Sequence, residues 1–167
     1  MAIVDAKTAE LCACACELGA HLAGGDDEVV ARLSAFGRNL GTAFQLADDL
    51  LDLEGNEAIT GKSLGTDLAK HKITLPLIHA RDSLDEPERS AFLSLLTNLP
   101  LSLGDGRGEG ARAALMHWLM RHDSCAYARA QARFYAREAQ TQLAGVPDGP
   151  AKIALAALAE FAVARSG

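Results

Sequence analysis

Apolar positions recur at helical spacing along most of this chain. The stretch from Ala2 to Ala23 reads as a first helix and ends at Gly24-Gly25, a strong helix stop. Asp26 or Asp27 can cap a second helix, along which Val29, Leu33, Phe36, Leu40, Ala43, Ala47 and Leu50 recur every three or four residues. That helix should end near Glu54-Gly55. A polar loop with Gly61 and Gly65 follows, from Gly55 to Thr66. A third helix is expected from near Asp67 and must bend or restart around Pro76, because proline cannot sit in a helix interior. Asp85-Glu86-Pro87 opens a fourth, with proline near its first position. Asn98 to Gly110 is rich in glycine and reads as a mobile loop. Further helices are expected over about 109–120, 124–143 and 150–164. The pattern is all-α, about seven helices with no alternation of strand and helix, no repeat and no long linker.

Composition agrees with that picture. Ala and Leu dominate and aromatics make up only 5%, which favours helices over strands. The 167 residues suit one domain with a real core. A net charge of −6 argues against a general nucleic-acid platform. An acidic protein that handles anions must place its cations locally or recruit metal ions. No apolar run reaches the length of a membrane span. Met1 to Lys7 is interrupted by Asp5 and lacks a signal-peptide layout, so a cytoplasmic location is expected. Cys12, Cys14 and Cys16 alternate on a helix, so Cys14 points away from the other two. Reduced cysteines that pack as small apolar groups fit this spacing better than a metal site.

The informative segment runs from Gly37 to Asp52. On a helix, Gly37, Gly41, Gln45, Asp48 and Asp52 fall on one stripe, with Asp49 one position round from Asp48. Phe36, Leu40, Ala43, Ala47, Leu50 and Leu51 form the opposite, core-like face. The acidic stripe is locally unfavourable. Each Asp costs up to about 0.7 kcal/mol against Ala in a helix. Like charges one turn apart repel, and burial of a carboxylate adds a desolvation cost. A hard divalent cation would offset all three penalties, and magnesium suits one or two carboxylates completed by waters and phosphate oxygens. The glycines are expected to leave room for a ligand beside the carboxylates. A solvated acidic face is the bland alternative for DDxxD taken alone.

The context narrows that choice. Lys62 lies in Gly61-Lys62-Ser63-Leu64-Gly65, and Lys72 in Lys70-His71-Lys72-Ile73-Thr74-Leu75-Pro76. Lysines are compact point charges suited to phosphate. An acidic stripe followed by a glycine-flanked lysine loop describes a diphosphate site, with metal on one side and ammonium groups on the other.

The segments GTAFQLADDLLD and GKSLGTDLAKHKITLPLIHA resemble the second aspartate-rich region of the trans-isoprenyl diphosphate synthases, the polyprenyl synthetase family. Asp5-Ala6-Lys7-Thr8-Ala9-Glu10-Leu11 resembles the family's K-T-A-x-L element, and the last helices resemble its C-terminal end. The resemblance implies the helical isoprenoid-synthase bundle. It also implies magnesium-dependent condensation of an allylic prenyl diphosphate with isopentenyl diphosphate. Asp48 and Asp52 would ligate magnesium, with Asp49 acting through metal-bound water. Lys7, Lys62 and Lys72 would contact the allylic diphosphate. Thr8 and Gln45 would face the allylic carbon, and Phe44 would pack beside isopentenyl diphosphate. Two alternatives stay open: a non-catalytic subunit or interaction module of a heteromeric prenyl synthase, and a class I terpene cyclase relative.

Two departures from the family pattern stand out. His71 occupies the place where the family usually has Gly before the second lysine. The family's first aspartate-rich motif and its upstream basic residues have no counterpart in the sequence. Asp26-Asp27 and Asp82-Ser83-Leu84-Asp85 do not match it and fit acidic caps instead. The chain is therefore expected to be the C-terminal part of one polyprenyl synthetase domain, inactive alone and dependent on an N-terminal half or partner chain. The intact enzyme is expected to be a homo-oligomer. Thr8, Cys12, Ala15 and Gly19 form a stripe of small residues that could border a prenyl tunnel or permit close helix contact. His21, His79, His117 and His122 show no ligand spacing, and Arg121, Arg129, Arg133 and Arg137 fit a solvated face.

Overall fold

The computed structural model describes residues 8–54, 67, 70, 72–98 and 107–164, apart from the side chains of residues 107–109 and 111. Among these residues every regular element is helical: α1 (Glu10–Leu22), α2 (Asp27–Glu54), α3 (Leu75–Asp82), α4 (Glu88–Thr97), α5 (Arg107–Arg121), α6 (Ser124–Gln142) and α7 (Pro150–Ala164). A short 3-10 turn, Leu143–Gly145, follows α6. No helix among the described residues is long and apolar enough to cross a membrane.

Local chemistry sets the helix ends. Gly24 takes φ +78, and the amides of Gly24 and Gly25 donate back to His21 and Ala20, which closes α1 in a Schellman motif. Asp26 then caps α2: its Oδ1 accepts the Val29 amide at 2.9 Å. Asp27 and Glu28 fill the first turn of α2, where acidic groups suit the helix dipole. Residues 72–74 are not helical, and α3 begins at Leu75 with the proline in its first turn. Helix α5 begins at Arg107, two residues earlier than its expected start. Residues 1–7 and 99–106 lie outside the described residues, and with them the expected start of the first helix and most of the predicted loop.

The chain divides into two units, with the divide falling inside α2 after Asp48. Unit 1 comprises residues up to Asp48 together with Arg129 onward, and its core gathers Phe36, Ala139, Leu143 and Ala159. Within it α1 and α2 come very close. A Cβ placed on Gly37 would lie 2.3 Å from the Cys12 carbonyl oxygen, and one on Gly41 would lie 2.8 Å from Ala9 Cα. This corrects the sequence-based expectation for the glycines: α1 backbone, rather than a ligand, fills the space beside them. Ala9, Cys12 and Ala13 are the small residues that allow the approach, whereas Ala15 and Gly19 are exposed.

Unit 2 runs from Asp49 to Ala128, around Leu50, Leu53, Leu77, Leu84, Phe92, Leu115 and Leu119. Phe92 meets Trp118 edge-on at 6.1 Å between ring centroids. Arg112 donates to the Leu53 carbonyl at 3.0 Å and so satisfies one of the last acceptors of α2. All four cysteines are free thiols, as expected. Burial pushes the Cys12 and Cys16 thiols up, which keeps them protonated and suits them to packing.

Candidate functional site

Helix α2 carries the acidic stripe in the expected register. Asp48 and Asp52 are half-buried and one turn apart, while Asp49 is 3% exposed. Of the core-like face, Phe36, Ala43, Ala47 and Leu50 are buried, whereas Leu40 and Leu51 are half-buried. One helix thus presents carboxylates from beside its apolar face, and burial makes Asp49 costly unless a cation meets it.

Within unit 2 the cation is Lys72. Its Nζ donates to Asp49 Oδ1 at 2.7 Å and to Asp67 Oδ2 at 2.6 Å. The two partners are twenty-three and five residues away in sequence. Burial alone would pull the Lys72 ammonium down. The hydrogen bonds and charges of Asp49 and Asp67 outweigh this and hold it above the usual lysine value. Lys72 is therefore charged throughout the neutral range. The amide of Asp67 also donates to Asp52 Oδ2 at 3.0 Å. The third aspartate of the motif, Asp67 and Lys72 are thus joined.

Asp67 is not among the site residues expected from sequence. Its place in the G-K-x-x-G-x-D-L pattern was the available signal, but sequence does not show which carboxylate a lysine will reach. His71 and Lys62 lie outside the described residues, as does Lys7.

Within unit 1, Thr8 and Gln45 are brought together: the Thr8 hydroxyl donates to Gln45 Oε1 at 2.9 Å. Gln45 is buried, and Phe44 beside it is exposed. The four remaining histidines lie apart from the acidic stripe in sequence, and among the described residues none joins a group of three metal-ligating side chains. His79 stacks on Tyr127 and shares a hydrogen bond with Ser124, His122 lies against Trp118, and His21 and His117 are exposed. Arg121 pairs with Glu88 at 2.8 Å and lies over Trp118.

The donor set fits a hard divalent cation that keeps water and phosphate ligands. Among the described residues no three His, Cys, Asp or Glu side chains gather into a metal cage. Asp48 and Asp52 of α2 supply two half-buried carboxylates, the number such a cation uses at a phosphate site. One buried polar group near α3 lacks a partner among the described residues. Thr74, which precedes α3, is 2% exposed, and its Oγ1 has no hydrogen-bond partner among the described residues. A buried hydroxyl without a partner costs about 1–3 kcal/mol. Thr74→Val is accordingly expected to raise stability by about 1 kcal/mol, read as a higher urea midpoint at unchanged slope. A lower midpoint would mean that the hydroxyl is satisfied in solution.

An all-helical chain with an aspartate-rich helix and a lysine pinned against it has the build of the isoprenoid-synthase fold. The sequence profile of the family "Polyprenyl synthetase" matches residues 1–102, and the chain belongs to that family. The nonaprenyl diphosphate synthase of Mycobacterium tuberculosis is 37% identical over 99% of this chain and 47% of its own length. A short chain isoprenyl diphosphate synthase of Methanothermobacter thermautotrophicus is 34% identical over 99% of this chain and 48% of its own length. Among solved structures, a polyprenyl synthase from Caulobacter crescentus, complexed with calcium and isoprenyl diphosphate, superposes with a TM-score of 0.81. It is 35% identical, over 99% of this chain and 48% of that one. The chain spans about half the length of these relatives.

Proposed function

We propose that this chain supplies the allylic-diphosphate half-site of a chain-elongating trans-prenyltransferase. The observation that carries this reading is the acidic stripe of α2 with Lys72 fixed against Asp49. Asp48 and Asp52 would hold magnesium, with Asp49 beside them, and the metal's charge would offset that growing on the departing diphosphate. Lys62 and Lys72 would contact the allylic diphosphate, as would Lys7. The paired oxygens of Thr8 and Gln45 face the allylic carbon and stabilise positive charge there as the C–O bond breaks. Phe44 offers an aromatic face to isopentenyl diphosphate. That substrate's double bond attacks the allylic carbon, and loss of a proton then restores neutrality.

Elongation also requires the other half of the family domain, with its first aspartate-rich motif, supplied either in one longer chain or by a partner. The present chain should therefore bind diphosphate with magnesium and yet elongate nothing by itself. The assay uses magnesium, labelled isopentenyl diphosphate, and geranyl or farnesyl diphosphate, with products separated by length. No product from this chain is expected, and addition of a segment that carries the first motif should restore elongation. Elongated product from this chain alone would overturn the half-site reading.

A further inference from the structure

We propose that Asp67 is a positioning residue that holds the Lys72 ammonium in place for a phosphate oxygen. This inference deepens the preceding reading and rests on it. Three links join Asp67 to the site. Its amide donates to Asp52 Oδ2 at 3.0 Å, its carbonyl accepts the Lys72 amide at 2.8 Å, and its Oδ2 accepts Lys72 Nζ at 2.6 Å. The first two run through the backbone of Asp67 and survive any change of its side chain. Only the third depends on that side chain, and it acts on the lysine head group alone.

The geometry of an ammonium makes that third link consequential. Lys72 Nζ has three N–H groups in a fixed tetrahedral arrangement. Asp49 takes one and Asp67 takes another. The direction of the third is then set by the first two, and the Lys72 side chain keeps 28% of its surface open to solvent. One carboxylate would leave the head group free to swivel about a single bond, whereas two define its orientation. A lysine stem otherwise carries large rotamer entropy, and immobilising it before the ligand arrives lowers the cost of binding. Two carboxylates beside a phosphate-binding lysine also repel the anion. Asp67 is thus tolerable in such a site only if the gain in orientation exceeds that repulsion.

This balance gives the test. The full chain, Asp67→Asn and Asp67→Ala are titrated with inorganic diphosphate in the presence of magnesium by calorimetry, with thermal melts run alongside. Both variants remove the charge, but only the asparagine keeps an acceptor within reach of Nζ. If Asp67 positions Lys72, Asp67→Asn binds as tightly as the parent or tighter, and Asp67→Ala binds about ten-fold more weakly. If Asp67→Ala melts far below the parent, Asp67→Ser takes its place, since its hydroxyl is too short to reach the ammonium. Equal or tighter binding by both charge-removing variants would overturn the proposal, because Asp67 would then act only as a repelling charge. No diphosphate binding by the parent chain would instead overturn the half-site reading itself.

Discussion

Gly37→Ala should lower the stability of this protein by about 3 kcal/mol, at the upper end of the usual cost of overpacking. For a chain of this length that corresponds to a fall in Tm of about 10 °C. The added methyl would meet the Cys12 carbonyl oxygen at 2.3 Å and Ala13 Cα at 2.9 Å. Both are backbone atoms of α1, so no side chain can turn aside to relieve the overlap. The sign is informative, because alanine ordinarily improves a helix by roughly 0.5–1 kcal/mol over glycine. Gly19, inside α1, provides the control: nothing lies within 4 Å of its added Cβ, and Gly19→Ala should stabilise. Opposite shifts in two thermal melts are the expected result. A Gly37→Ala protein that melts like the parent would show that α1 and α2 sit further apart than described.

Replacing Asp48 and Asp52 together by asparagine should separate stability from binding. Magnesium-dependent affinity for diphosphate is expected to fall at least a hundred-fold, about 3 kcal/mol, because the metal loses both of its proposed carboxylate ligands. The repulsion between two like charges one turn apart on α2, a few tenths of a kcal/mol, is relieved at the same time. In Asp52→Asn the new amide oxygen can still accept the Asp67 amide, which Asp52 Oδ2 accepts at 3.0 Å. Calorimetric titration with inorganic diphosphate, beside a urea melt of the same sample, reads both quantities. Unchanged affinity in a folded variant would remove the metal role from the stripe. Lost stability together with lost affinity would make these carboxylates structural. A residue kept against local preference, with loss of ligand as the only consequence of removing it, is the mark of a binding site.

The chain alone determined the helices and much of their punctuation. The start of α2, the Gly24-Gly25 stop and the start of α3 beside Pro76 follow from caps, turns and backbone sterics, which act over a few residues. The register of Gln45, Asp48, Asp49 and Asp52 follows from helical geometry alone. What fills the space beside Gly37 was not legible. A missing side chain creates room, but only the path of α1 decides whether a ligand or a neighbouring backbone takes it. The partners of Lys72 were settled in the same way. Asp49 and Asp67 are twenty-three and five residues from it, and a flexible stem can reach either, both or neither. The orphan hydroxyl of Thr74 also depends on what packs around it rather than on its neighbours in sequence. Local interactions are written in the order of residues. Contacts across the fold depend on how helices pack, and a small change in that packing moves them by more than a hydrogen bond can stretch.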